Sequence, residues 1–228
     1  IERCAQDKRF VQVLMLVMGD MPLGKRHYWP IYAAAERLGL PIGIHAGSAY
    51  HNPPSSVGWG SYHIEDYVAQ AQAFQTQLTS LIVEGVFARH PKLKMVMLES
   101  GFTWLPPFLW RLHKFWRGVR METPWVDRPP LEIVRSNIRF SLQPVDAPPE
   151  PETLNRLFDH MQSDELLLFS SDYPHWQFDG DEVLPPGLSP DLVRKIIIDN
   201  PHATYPRLKV AHDTEKRPPV FGQDHAQN

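Results

Sequence analysis

LLLFSSDYPHW, residues 166–176, passes from an apolar run directly into an acid, with a histidine three positions further on. A run of this kind bounded by Ser-Ser-Asp reads as a buried β-strand that ends at Asp172. Four other stretches share its character: FVQVLMLV (10–17), PIGIHAG (41–47), LKMVMLES (93–100) and IRFSLQP (138–144). None shows clean polar–apolar alternation, so each is expected to be covered on both faces. Helical patterns lie between them: YWPIYAAAERLG (28–39), a long region over 62–89, WLPPFLWRLHKFW (104–116), PETLNRLFDHM (151–161) and 189–199. Prolines 106 and 107 fall near a helix start, where they are tolerated. Strand–helix alternation predicts an α/β fold with a parallel sheet and crossover helices. A doubly wound sheet and part of an eight-unit barrel both satisfy that order.

The chain has 228 residues, 43% of them apolar, and a formal net charge of -3. Acids and bases are mixed along it, which leaves no electrostatic footprint for nucleic acid or for an anionic membrane surface. It contains no apolar run of 18 residues. Cys4 is the single cysteine. It precludes an internal disulfide framework and fits a reducing, cytoplasmic compartment. The first residue, Ile1, stands on what reads as the tail of a helix, so a processed or truncated chain is expected. The polar stretch 207–228 has little to bury and is expected to be an arm or tail, leaving residues 1–206 as the folded unit.

Polar residues fall where the strands finish: His45 in IGIHAG, Glu99 in MVMLES, Gln143 in FSLQP and Asp172 in LFSSD. In both candidate folds the carboxyl ends of parallel strands carry the ligand site. An imidazole and a carboxylate together suit a divalent ion, and Asp172 is placed to orient or deprotonate a bound water. Ordinary structural roles compete with each assignment. Asp172 is also a candidate cap for the SDYP turn, Glu99 for a helix cap or a partner of Arg111, and Gln143 for satisfying backbone groups. His175 follows on the loop, placed to orient Asp172 or to meet substrate. Trp59, Trp104, Trp110, Trp116, Trp125 and Trp176 are candidates for an apolar wall, with helix packing as the competing reading of Trp110 and Trp116. Arg111 and Arg117 are carboxylate-binding candidates or surface ion pairs.

PIGIHAG, LKMVMLESGFTWLPPFLWRLHKFW and LLLFSSDYPHW resemble the amidohydrolase-related family that includes aminocarboxymuconate-semialdehyde decarboxylase and several aromatic-acid decarboxylases. The resemblance spans nearly all of residues 1–206. It implies a (β/α)8 TIM barrel of the metal-dependent hydrolase type, with a divalent metal at its carboxyl face: most often zinc, otherwise manganese or iron. By that resemblance His45 is a metal ligand on the fifth barrel strand. Asp172, on the last strand, is a ligand and partner of the metal-bound water. Glu99 stands where the decarboxylases carry a histidine, which turns the expectation toward hydrolysis. The family's first-strand ligand pair has no counterpart, because the chain opens on the unit resembling strand four. Its first three units are therefore expected in an upstream or partner segment that completes the barrel.

The expected function is hydrolysis of an amide, ester or lactone in a small organic substrate by a metal-activated water, with Asp172, Glu99 and His175 as the catalytic groups. Decarboxylation of an aromatic or enol-type acid is the alternative. A non-catalytic barrel fragment with an incomplete metal site is the third expectation. A homodimer is expected from the resemblance and from the apolar helix over 104–116.

Overall fold

The computed structural model describes residues 1–47, 50–176, 178, 180 and 183–208. The expected tail therefore lies almost wholly outside the described residues. In chain order the elements are β1 (Val13–Leu16), α1 (Trp29–Leu38), β2 (Ile42–His45), α2 (His63–Val83) and α3 (Val86–Arg89). They continue with β3 (Met95–Leu98), α4 (Leu105–Val119), α5 (Pro130–Asn137), β4 (Ile138–Ser141) and α6 (Pro151–Met161). The last are β5 (Leu167–Leu168), α7 (Pro190–Arg194) and α8 (Asn200–Thr204). A π turn over Lys195–Asp199 joins α7 to α8.

Local chemistry explains the helix limits. Gly39, at φ 65, ends α1 by donating its N–H back to Ala35 and Glu36, a left-handed cap that costs glycine little. Glu65 closes the start of α2, where its carboxylate accepts the backbone N–H groups of Ser61 at 2.7 Å and Tyr62 at 2.8 Å. The single helix expected over 62–89 is two, because Gly85 at φ 81 interrupts it. Helix α5, absent from the expected pattern, starts at Pro130 and buries Ile133 and Val134.

All strand pairings are parallel, in the order β1-β2-β3-β4-β5. This is the five-unit arc of a (β/α)8 barrel, and it settles the choice against a doubly wound sheet, whose order reverses. The register aligns Leu14, Gly43, Val96 and Arg139 in one row, and Leu16, His45 and Leu98 in the next. Alternation along the strands then separates two faces. Ile42, Ile44, Met95, Met97, Ile138 and Phe140 point into the helix layer, where Phe74, Leu78, Leu81 and Phe87 complete the core. The other face carries His45. Coverage on both faces holds for β2–β4 but fails at β1, where Leu14 and Leu16 are 60% and 48% exposed.

The fifth strand is shorter than its sequence suggests. It ends at Leu168, and Phe169 donates its N–H to Ile196 of the π turn rather than to β4. Asp172 thus stands on a loop four residues beyond the strand.

Candidate active site

His45 is the last residue of β2, and Leu98 lies opposite it in register on β3. Glu99, one position later, should face the helices by strand alternation. Instead its backbone turns left-handed, at φ 57. Its N–H is held by the hydroxyl of Ser141 at 2.9 Å. The reversal brings Glu99 Oε1 to 2.7 Å from His45 Nε2. Asp172 has the same left-handed φ of 57. Two carboxylate-bearing residues in a conformation that L-residues seldom adopt make the carboxyl ends of β3 and β5 a strained rim.

The neighbouring loops hold this rim. Gln143 donates its N–H to Ser170 Oγ at 2.9 Å. The Asp146 carboxylate accepts Phe102 N–H at 3.2 Å and Thr103 Oγ1 at 2.9 Å. Gly101 is at φ 63, and a Cβ there would meet Asp146 Oδ2 at 2.4 Å, so the turn after Glu99 requires glycine.

The electrostatics follow from this geometry. His45 Nδ1 lies 2.5 Å from the Ala46 carbonyl, so Nδ1 carries a proton. The Glu99 carboxylate on Nε2 raises the imidazole to about 9, against the opposing effect of burial. The same bond holds Glu99 below the ordinary carboxylate range. Asp172 moves the other way: burial raises it first and the Glu99 charge adds to this, while His175 opposes both. His175 Nδ1 is 3.3 Å from Asp172 Oδ2, within ion-pair range but off the hydrogen-bond axis. Asp172 Oδ2 is buried without a hydrogen-bond partner.

All four expected site residues therefore meet. Gln143 does not join them: it is buried, with Nε2 donating to Val183 and Oε1 accepting from Val145 N–H, a backbone-satisfying role. Arg111 lies away from Glu99, with its guanidinium 5.0 Å above the Phe115 ring. Trp116 packs against the core as a helix residue, whereas Trp110 is exposed beside His160. Ser141, Ser170 and Asp146 were not singled out in the sequence, because short polar residues just after a strand look like any turn.

The donor set suits a divalent ion in kind: an imidazole whose Nδ1 proton fixes Nε2 as the ligand atom, and a buried carboxylate oxygen lacking a partner. It falls short in number. Among the described residues no group of three or more His, Cys, Asp or Glu side chains is disposed to hold a metal ion. His45 and Asp172 offer one imidazole nitrogen and one unpartnered carboxylate oxygen, and Glu99 stands on the Nε2 position.

A family model described as amidohydrolase matches residues 1–207. None of the curated proteins matches the sequence. Among solved structures, an amidohydrolase from Mycobacterium avium subsp. paratuberculosis K-10 is 26% identical over 89% of this chain and 55% of its own, with a TM-score of 0.66. The 2,6-dihydroxybenzoate decarboxylase from Rhizobium is 20% identical over 89% of this chain and 64% of its own, with a TM-score of 0.68. A dihydroxybenzoic acid decarboxylase from Polaromonas sp. JS666, with bound manganese, is 19% identical over 89% and 63%, at a TM-score of 0.64. The chain thus spans between 55% and 64% of the length of these structures.

Proposed function

The chain belongs to the amidohydrolase family, and from that premise we propose that it carries the acid–base residues of a metal-dependent hydrolase acting on a small amide, ester or lactone. The observation that supports this reading is the divergence of two neighbouring carboxyl groups. The bond to His45 lowers Glu99, while burial and the Glu99 charge raise Asp172. A carboxyl raised above its ordinary range takes up a proton more readily than one held low, which suits Asp172 rather than Glu99 to carry a proton from water to leaving group. Asp172 takes the proton of the attacking water and returns it to the leaving group. His175, against Asp172 Oδ2, orients that carboxyl. Glu99 keeps the His45 ring in place, and the Nε2 proton would pass to solvent for that nitrogen to serve as a ligand. His45 and Asp172 would hold a divalent metal, zinc, manganese or iron by the family resemblance, together with further ligands beyond these two. Such an ion polarises the scissile carbonyl and acidifies water.

A second reading, decarboxylation of an aromatic acid, draws support from the named activities of two of the structures above. Asp172 would then deliver its proton to the ring carbon as carbon dioxide leaves.

The test uses protein expressed from its natural start codon and supplied with zinc or manganese, assayed on esters, lactones, amides and dihydroxybenzoates. Hydrolysis should appear, and Asp172→Asn should lower kcat by about 100-fold or more, the usual weight of a positioned acid–base group. Carbon dioxide release without hydrolysis moves the assignment to the second reading. Full activity in Asp172→Asn overturns both.

A further inference from the structure

The helix layer holds a cleft that the reacting groups do not use. It lies between α4, α5 and α6, on the side of the sheet opposite His45, and measures about 500 Å³, within the range of small-molecule sites. Its floor is apolar: Leu109 of α4 is 4% exposed, and Leu131 of α5 packs against the core. Trp110 forms a wall. It is 57% exposed, yet its ring meets His160 of α6 edge-on, with centroids 5.2 Å apart and planes at 88°. The indole thus keeps a large apolar surface in contact with water while the neighbouring helix holds it. The polar side of the cleft is cationic. Arg135 of α5 lines it, and Arg135 Nη2 donates to Gln162 Oε1 at 2.5 Å, a neutral acceptor. Arg135 Nε is buried without an acceptor, and among the described residues the guanidinium makes no ion pair. His113 and His160 line the cleft as well, and Glu132, exposed one turn before Arg135, is the one acid among the described lining residues.

We propose that this cleft is a binding site, separate from the reacting groups, for a small carboxylate with an apolar body. The body lies along Trp110 over Leu109 and Leu131, and the carboxylate reaches Arg135. Apolar carbons seated there remove exposed indole surface from water. A carboxylate supplies the charge that the Gln162 amide does not, in the planar fork that suits a guanidinium. A neutral ligand of the same shape leaves the Arg135 charge unmatched, and a bare inorganic anion gains nothing from the apolar floor. The assignment is independent of the hydrolase reading, because the cleft shares no lining residue with His45, Glu99 or Asp172.

The experiment titrates the full-length protein with octanoate and with octanamide, which share an alkyl body and differ in charge, and reads dissociation constants by NMR. The wild type should bind octanoate about tenfold tighter, the weight of a hydrogen bond to a charged group. Octanoate should also shift the Trp110 indole resonance. Arg135→Gln should bring octanoate to the octanamide value, and Arg135→Lys, which keeps a charge without the fork, should retain part of the preference. Trp110→Ala should weaken both ligands severalfold and leave the preference in place. Equal affinities in the wild type, or octanoate binding unchanged in Arg135→Gln, overturns the proposal. Octanoate shifts confined to His45 and Asp172 place the ligand at the reacting groups and overturn it too. A second copy in the cleft is the remaining contrary result: light scattering would then give a dimer for the wild type and a monomer for Trp110→Glu, with no octanoate shift at Trp110.

Discussion

At the residue scale, the site depends on Glu99 and on the turn that re-aims it. Strand parity alone would send its side chain to the helices; the φ of 57 and the Ser141 hydroxyl send it to His45 instead. The resulting pair has a defined pH signature. His45 is raised to about 9, so its contribution to stability is complete below its ordinary value near 6.5 and is lost as pH rises through about 9. Glu99 is lowered, so its contribution is present above the ordinary carboxylate range and is lost only as pH falls through the depressed value. The metal-free pair is therefore most stabilising in mildly acidic solution. Glu99→Gln should return the His45 titration from about 9 toward 6.5, read by NMR of the imidazole protons in EDTA-treated protein. An unchanged titration would remove Glu99 as its cause. His45, Glu99 and Asp172 were legible in the sequence because each ends an apolar run. The left-handed turns were not, since neither residue is a glycine and Glu99 is of a type that rarely adopts that conformation.

At the element scale, the arc is held by side chains that secure the loops below the sheet. Asn137, fully buried at the end of α5, donates from Nδ2 to the carbonyls of Pro91 at 3.0 Å and Leu93 at 2.8 Å. Asn200 does the same for Asp164 at 2.9 Å and Leu167 at 3.0 Å. Each amide satisfies backbone at the entry to a strand, Pro91 and Leu93 ahead of β3, Asp164 ahead of β5 and Leu167 at its first residue, which sets where β3 and β5 enter the sheet. Asn137→Ala leaves two carbonyls without their donor and should cost about 2 kcal/mol. Urea unfolding should show this as a lower midpoint at unchanged slope, and a midpoint within error of the wild type would refute the role. Most strands and helices could be read from apolar runs and cap residues. Helix α5 could not, because Pro129 and Pro130 look like a loop until they are seen to open a helix. The fifth strand reads too long, since LLLF continues the apolar pattern after the backbone has turned toward the π turn.

At the scale of the whole molecule, five parallel strands follow one another without reversal of order, and His45, Glu99 and Asp172, from the carboxyl ends of β2, β3 and β5, are close enough to act on one another's charge. Residues 54 positions apart, His45 and Glu99, come within 2.7 Å because β2 and β3 pair side by side and Glu99 turns left-handed at the strand end. Leu14 and Leu16 stay exposed on β1, and among the described residues no group of three or more His, Cys, Asp or Glu side chains is disposed to hold a metal ion. Sequence motifs identified the family, but the shared charge balance among His45, Glu99 and Asp172 emerges only when the arc is assembled. The central claim is that His45 and Asp172 are metal ligands, and metal analysis of the purified full-length protein tests it most directly. Inductively coupled plasma mass spectrometry should find about one divalent ion per chain in the wild type and a large loss in both His45→Ala and Asp172→Ala. A folded wild type with no divalent ion, or full retention in both variants, would contradict it.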